Sequence, residues 1–313
     1  MNPQSKSSQA AEPSRVAPID GLRGLLAVVV LAWHAFGPLG ATWLLLPANF
    51  AVLTFFALSG YVLTRGWNGR YGVFLLRRFV RLWPVYALCL GVGYCIAGIH
   101  PVWTEFLWYP LIGADTKPFI DPPVWSLFLE AWAMPFMPLI VWAGARTPMR
   151  AALCSAALIL AGLFAPQLFV GALFIAGAFL ARWRFRNRLL ETTVPQWLGR
   201  ISYSLYLTHW LVLQVATRTF GPWGGVAAIP AIFVVAWAVW WGVERPSIWA
   251  SRRIGRIAAT RVPQADAMGH GCEILEFSAD IARAKAGVAA RSGGSLPGAR
   301  ALAKEANALS DVL

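Results

Sequence analysis

The chain alternates long apolar runs with short, polar, arginine-rich intervals. A transmembrane helix needs about 20 mainly apolar residues, and eight stretches approach that length. They lie near residues 22–41, 43–64, 82–99, 125–144, 150–166, 168–183, 201–217 and 225–243. The pattern predicts an all-α, polytopic membrane helix bundle of about eight transmembrane helices.

The two ends of the chain and two intervals differ from these runs. Residues 1–17 are polar and predict an N-terminal tail before a membrane domain over 18–250, while 251–313 are rich in Ala, Gly, Arg and Ser and predict a disordered cytoplasmic tail. The basic, amphipathic segment Gly72–Arg81 predicts a short helix on the inner surface that leads into the third span. Residues 100–124 mix charged and aromatic side chains and predict an outer loop that caps an entrance.

The distribution of positive charge orients the spans. With an inner N-terminus, every Lys and Arg except Lys117 and Arg218 falls on the inner side. Because cytoplasmic flanks are enriched in these residues, both termini are predicted to be cytoplasmic. The net charge of +13 is then a consequence of membrane topology, and we predict no nucleic-acid partner.

Composition narrows the class of protein further. Hydrophobic residues make up 58% and charged residues 13% of the chain, and the mean hydropathy is +0.57, values too apolar for a soluble globule. The four cysteines, Cys89, Cys95, Cys154 and Cys272, show no CxxC spacing. We therefore predict an integral membrane protein without a metal site, and with the lipid bilayer as its first partner.

Ionisable residues within apolar runs are costly, so each is a candidate for function. His34 follows Arg23 by eleven residues on the first span, which places both on nearly the same helix face, about 16 Å apart along the axis. The arginine suits an anion such as phosphate, and a buried neutral imidazole suits proton abstraction or acyl capture. The alternative is a packing histidine and an arginine that only marks the inner side.

A second basic group follows the second span. Arg78 and Arg81 are three residues apart, so they lie on one helix face and suit the phosphates of a polyphosphate ligand. The alternative is anchoring to anionic lipid headgroups.

Two further polar groups lie in later spans. Glu130 follows Trp125 and Ser126 at the start of the fourth span, where its carboxylate could orient an imidazole or a hydroxyl; the alternative is a structural acid. The seventh span carries the stripe Ser202 to His209, which includes Tyr203 and Tyr206 and either lines a cavity or joins helices by hydrogen bonds.

Two smaller signals favour structure over chemistry. Asp20, with Gly21 and Gly24, predicts a helix cap and a site of close helix packing. Glu244 and Arg245 predict a surface ion pair at the end of the last span.

Six short motifs occur in order along residues 15–250. They are Ile19-Asp20-Gly21-Leu22-Arg23-Gly24 with His34, Phe55-Phe56 through Ser59-Gly60-Tyr61, Arg78-x-x-Arg81-Leu82-Trp83-Pro84, Trp125-Ser126-Leu127-x-x-Glu130, Leu198-Gly199 through Ser202-Tyr203-Ser204-Leu205-Tyr206 to His209, and Val243-Glu244-x-Pro246. Together they resemble acyltransferase family 3, the integral-membrane O-acyltransferases that modify bacterial polysaccharides, O-antigen and some small molecules.

The resemblance implies a bacterial inner-membrane enzyme that moves an acyl group, usually acetyl, from acetyl-CoA to a hydroxyl of a cell-surface glycan or small molecule. It implies His34 and Glu130 as catalytic residues. Donor binding falls to Arg23, Arg78 and Arg81, and substrate binding to Ser59, Ser126, Tyr203, Tyr206 and His209.

Two other functions stay open. A transporter or flippase would use His34, Glu130 and His209 as proton-relay or substrate groups, although no inverted repeat is visible. A shortened, noncatalytic family member is the second alternative, because the interval from Glu130 to Leu198 is shorter than is usual for the family. The oligomeric state, the acceptor and the acyl chain length are left open.

Overall fold

A computed structural model describes residues 16–98, 100, 123–145, 147–165 and 167–260, and all regular structure in these ranges is helical. Most of the predicted N-terminal tail lies outside the described residues, and so do residues 101–122 of the predicted outer loop (100–124) and residues 261–313 of the predicted C-terminal tail (251–313). The chain divides into two compact units, Met1–Arg252 and Arg253–Leu313. Of the second unit, residues 253–260 are described and are helical.

Eleven α-helices can be named within the described part of the chain. They are α1 (Ala17–Phe36), α2 (Leu45–Arg65), α3 (Tyr71–Ala97), α4 (Val124–Ala133), α5 (Met137–Ala145), α6 (Pro148–Ala161), α7 (Gln167–Leu180), α8 (Thr193–Phe220), α9 (Pro222–Ala227), α10 (Ile229–Val239) and α11 (Arg245–Thr260). A π-helical turn, Trp240–Glu244, joins α10 to α11.

Three helical segments are long and apolar enough to cross a membrane: Ala17–Leu39, Thr42–Arg65 and Tyr71–Ala97. The pair Val124–Ala133 and Met137–Gly144 reaches the same length and apolarity together but bends by 77°. The apolar helices Pro148–Ala161 and Leu168–Leu180 are shorter. The prediction of a helical membrane protein is confirmed, and at least three of the predicted spans have the length and composition that crossing requires.

Three predicted boundaries differ from the structure, each at a proline. Helix α3 runs unbroken through Pro84, so Gly72–Arg81 is its first part and not a separate surface helix. The fourth span breaks into α4 and α5 around Pro135, which lacks the N–H that helix continuation needs. The segment 225–243 is divided among α9, α10 and the π-helical turn, and Pro230 lies in the first turn of α10.

Helices α1 and α8 form the centre of one half of the bundle. An added Cβ on Gly24 would lie 2.5 Å from the Gly199 nitrogen, and one on Gly199 would lie 2.2 Å from the Asp20 oxygen. The backbones therefore touch, which confirms the predicted close packing at Gly24. Further toward the C-terminal ends of both helices, Leu31 of α1 and Leu205 of α8 belong to a core cluster that includes residues of α10.

Helices α2 and α7 pack in the same way in the other half. A Cβ on Gly60 would lie 2.2 Å from the Phe174 oxygen, and one on Gly177 would lie 1.9 Å from the Ala57 oxygen. Phe56 and Phe174 complete this contact with ring centres 6.0 Å apart.

Many large apolar side chains lie on the outside of the helices. Phe164 is 92% exposed and Trp43 is 73% exposed. Exposure of such a surface to water is unfavourable, whereas exposure to hydrocarbon is not, so this surface suits a lipid environment.

Candidate functional site

A cavity of about 50 Å³ lies where α1, α2, α4 and α8 meet. Its lining is polar at several points, although these helices are otherwise apolar. The side chains that line it are those of Arg23, Phe55, Phe56, Ser59, Ser126, Leu127, Glu130, Ser202, Tyr203 and Tyr206.

Glu130 at this cavity pairs with an arginine of α3. Its Oε1 lies 3.5 Å from Nη2 of Arg78, and the two side chains are 19% and 13% exposed. The Nε of Arg78 is buried and has no hydrogen-bond partner among the described residues. Arg78 is thus a largely buried cation with donor capacity that the described part of the chain leaves unused.

Arg81, one turn further along α3, belongs to the same charged group. It interacts electrostatically with Arg23, Glu244, Asp20 and Glu130. Arg78 in turn interacts with Arg23, Arg77 and Arg81. Four arginines and three carboxylates from four elements of the bundle therefore share one electrostatic environment beside the cavity.

Hydrogen bonds fix the cavity walls on α8. The Tyr203 hydroxyl donates to the Leu82 carbonyl at 2.8 Å, which ties α8 to α3. The Tyr206 hydroxyl lies 2.8 Å from Oγ of Ser126, and Ser126 donates to the Pro123 carbonyl at 3.1 Å. Because that bond uses the only hydroxyl proton of Ser126, Tyr206 is the donor to Ser126.

Two histidines, His34 and His209, are in contact near the C-terminal end of α1. The ring centres of His34 and His209 are 5.1 Å apart, and the Tyr206 ring lies 5.9 Å from His209. Nδ1 of His34 is 2.9 Å from the Val30 carbonyl, and Nδ1 of His209 is 3.1 Å from the Leu205 carbonyl. A carbonyl only accepts, so both rings carry a proton on Nδ1, and in the neutral form each ring has its lone pair on Nε2.

The predicted site residues thus occupy two adjoining regions. Arg23, Ser59, Ser126, Glu130, Tyr203 and Tyr206 line the cavity, and Arg78 and Arg81 adjoin it through their charges. His34 contacts His209 and Trp210, while Glu130 contacts Arg78. No group of three or more His, Cys, Asp or Glu side chains suited to a metal ion occurs in the described ranges.

Two minor predictions are wrong, those for Glu244 and Asp20. Because Glu244 was predicted to lie at the surface, it was not predicted as a residue of the site. Glu244 is 4% exposed and accepts hydrogen bonds from Ser204, so it forms no surface pair with Arg245. The chain continues as α11 at this point, which keeps Glu244 inside the bundle. Asp20 does not cap α1, whose N-cap residue is Val16.

The helical bundle, its membrane-spanning segments and the polar cavity beside a group of arginines define a helical membrane protein with a polar site among its helices. The family model for an acyltransferase domain, that of acyltransferase family 3, matches residues 16–193. This match covers more than half of the chain, so the protein belongs to that family, and it carries a membrane acyltransferase domain. The matched region ends where α8 begins, so Tyr203, Tyr206 and His209 lie beyond it.

One curated relative matches part of the chain. Protein 2 in picA locus, from Rhizobium radiobacter, is 38% identical over 89 residues, which are 26% of this chain and 44% of that protein. The chain thus aligns with less than half of the length of this relative. No solved structure matches the chain.

Proposed function

We propose that this acyltransferase moves an acetyl group from acetyl-CoA to a hydroxyl of a cell-surface glycan or small molecule. The observation that carries the proposal is the partly buried cation group of Arg23, Arg78 and Arg81 beside a cavity lined by hydroxyl and carboxylate side chains. Guanidinium groups bind phosphates by paired, charge-assisted hydrogen bonds. A polyphosphate donor with a flexible thioester arm matches this arrangement.

In this proposal the donor phosphates bind Arg78 and Arg81 at the inner end of the bundle. Arg78 has a buried Nε without a partner in the described part of the chain, so it can bind a phosphate oxygen and still contact Glu130. The thioester then extends along α1 toward His34, about 16 Å from Arg23 along the helix axis.

His34 removes the proton from the acceptor hydroxyl, or first takes the acyl group and passes it on. Its tautomer supports either route, because the proton on Nδ1 is held by Val30 and the Nε2 lone pair is left for chemistry. Ser59, Ser126, Tyr203, Tyr206 and His209 bind the acceptor or its hydroxyls. General base catalysis contributes about 10²–10⁴ in rate.

We also propose a topology of eight spans with both termini cytoplasmic in a bacterial inner membrane. Relative helix directions support it. Contacts advance together along α1 and α8, from Gly24 with Gly199 to His34 with His209, so these two helices run parallel. Helix α4 runs from Ser126, beside Tyr206, back to Glu130 at the arginines, and so runs the opposite way.

The experiment is acetyl-CoA binding to the protein purified in detergent, measured by calorimetry. The double substitution Arg78→Ala with Arg81→Ala is expected to abolish saturable binding. His34→Ala is expected to retain it, yet to lose transfer of labelled acetyl from acetyl-CoA in inverted membrane vesicles. The matched control, Arg184→Ala with Arg186→Ala, removes the same charge from exposed positions.

Absence of binding by folded wild-type protein contradicts the proposal and favours a transporter or a noncatalytic subunit. Equal loss of binding in the control variant shows that overall charge, and not the site, attracts the donor. Cysteine labelling from each side of the membrane tests the topology separately.

A further inference from the structure

His209, counted above among the residues that bind the acceptor, has a buried ring nitrogen, Nε2, to which no step of the proposed chemistry is assigned. The side chain is 1% exposed, and its Nε2 has no hydrogen-bond partner among the described residues. A buried acceptor without a partner costs free energy. Such an atom calls for a ligand or a second state in which it is bonded.

The neighbours of this atom restrict what that second state is. His34 of α1 faces His209 with ring centres 5.1 Å apart and planes inclined by 57°. Among the described residues, Tyr206 and Trp210 of α8 are the other rings in contact with the pair, and the Tyr206 hydroxyl proton is given to Ser126. Within the same part of the chain, the charge that acts on His209 is that of His34.

Both imidazoles are held in the same tautomer by backbone carbonyls one turn earlier on their helices, Val30 and Leu205. Their Nε2 atoms therefore both carry lone pairs while the rings are neutral, so neither Nε2 can donate a hydrogen bond to the other. One added proton changes this, because Nε2–H of one ring can donate to Nε2 of the other. Ring centres 5.1 Å apart allow the nitrogens to approach about 3 Å, the distance of a hydrogen bond.

We propose that His209 is a positioning residue for His34, and that its Nε2 accepts the hydrogen bond of the proton that His34 takes from the acceptor. This rests on the proposed function of His34 as base. The O–H bond of the acceptor breaks as its oxygen bonds to the acyl carbon, and the proton goes to Nε2 of His34. The C–S bond of the thioester then breaks, and the leaving thiolate takes the proton back from His34.

Two substitutions separate this role from a structural one. His209→Gln places an amide oxygen near the position of Nε2 and loses the donor to Leu205. His209→Asn keeps a donor near the position of Nδ1 and loses the acceptor. If turnover depends on the acceptor at Nε2, His209→Gln retains more activity than His209→Asn. If it depends on the hydrogen bond to Leu205, His209→Asn retains more.

The first measurement requires no substrate. The full-length protein, labelled with nitrogen-15 at its four histidines, is placed in nanodiscs. The pH is then lowered from about 8 until the pair of His34 and His209 has bound one proton. A through-hydrogen-bond coupling between Nε2 of His34 and Nε2 of His209 is expected. Its absence throughout the titration of folded protein overturns the proposal.

The second measurement is transfer of labelled acetyl from acetyl-CoA in inverted membrane vesicles, with melting temperatures measured in parallel. His209→Asn is expected to lower kcat at least about tenfold with KM for acetyl-CoA unchanged, since a hydrogen bond to a charged group is lost. His209→Gln is expected to stay within a few-fold of wild type. Retention of kcat by Asn, or equal losses that follow the melting temperatures, overturns the positioning role.

The two measurements also separate this inference from the proposed function. A coupling in wild-type protein that transfers no acetyl leaves the histidine pair in place and contradicts the acyltransfer. Transfer without a coupling contradicts the pair alone.

Discussion

Oε2 of Glu244 accepts two hydrogen bonds from Ser204, one from the backbone nitrogen at 3.2 Å and one from the hydroxyl at 2.6 Å. Glu244 ends the π-helical turn between α10 and α11, and π-helical turns are frequent at functional sites. The carboxylate also acts on Arg81. One side chain therefore ties the middle of α8 to the last part of the bundle and faces the arginines of the candidate site.

Glu244→Ala is expected to destabilise the protein by about 1–3 kcal/mol, because the buried Ser204 hydroxyl loses its acceptor. Glu244→Gln keeps an acceptor oxygen and is expected to cost less. Unfolding in detergent micelles measures both values. Equal stability of the Ala variant and wild type would show that this carboxylate is not bonded in the folded protein.

Gly24→Ala is expected to destabilise the bundle by about 1–3 kcal/mol through overpacking. Its Cβ would lie 2.5 Å from the Gly199 nitrogen and 2.6 Å from the Leu198 carbonyl carbon, and backbone atoms cannot rotate away as a side chain does. Gly72→Ala is the control, since no atom lies within 4 Å of its Cβ position. The melting temperatures of the two variants are compared with that of the wild type. If both variants melt at the wild-type temperature, the backbones of α1 and α8 are not in close contact.

The pair of Arg78 and Glu130 is expected to show a coupling free energy of about 0.5–3 kcal/mol in a double-mutant cycle. Both side chains are largely buried, so solvent screens their attraction less than that of a surface pair. The cycle uses Arg78→Met and Glu130→Gln, with stability as the readout. The control cycle combines Arg184→Met with Glu130→Gln, and its two destabilisations are expected to add. If the destabilisations add in both cycles, Arg78 and Glu130 form no ion pair in the folded protein.

Tyr206→Phe is expected to lower stability by about 0.5–1.5 kcal/mol, because the donor to Ser126 is lost while the ring packing is kept. Ser126→Ala removes the other partner, and the double variant is expected to cost less than the two single costs added together. Tyr71→Phe, which loses a bond to Pro135 at an exposed position, is expected to cost less. Strict additivity of the Tyr206 and Ser126 variants would contradict the bond.

Local patterns were enough to predict much of this protein. Apolar run length predicts membrane helices because hydrocarbon requires each backbone polar group to bond within its own segment. The glycine at 24 predicted close helix packing, which the contact with Gly199 bears out. The order of short motifs predicted the family, and the matching family model confirms it.

Other features depend on contacts between residues far apart in the chain. The continuation of α3 through Pro84 and the break at Pro135 cannot be told apart by local rules, because both positions are prolines in apolar surroundings. From the sequence, Glu244 is predicted to be a surface residue beside Arg245. It is buried because α11 continues the chain there and because Ser204 donates hydrogen bonds to it.

Hydropathy, charge and motif order are properties of the chain, so they were enough to predict a helical membrane protein of the acyltransferase family and the candidate residues for its chemistry. Which of these residues meet depends on the folded bundle. It placed Glu130 with Arg78 and His34 with His209. Those pairings depend on how helices distant in sequence pack, since side chains 52 or 175 residues apart contact each other only after the bundle has formed.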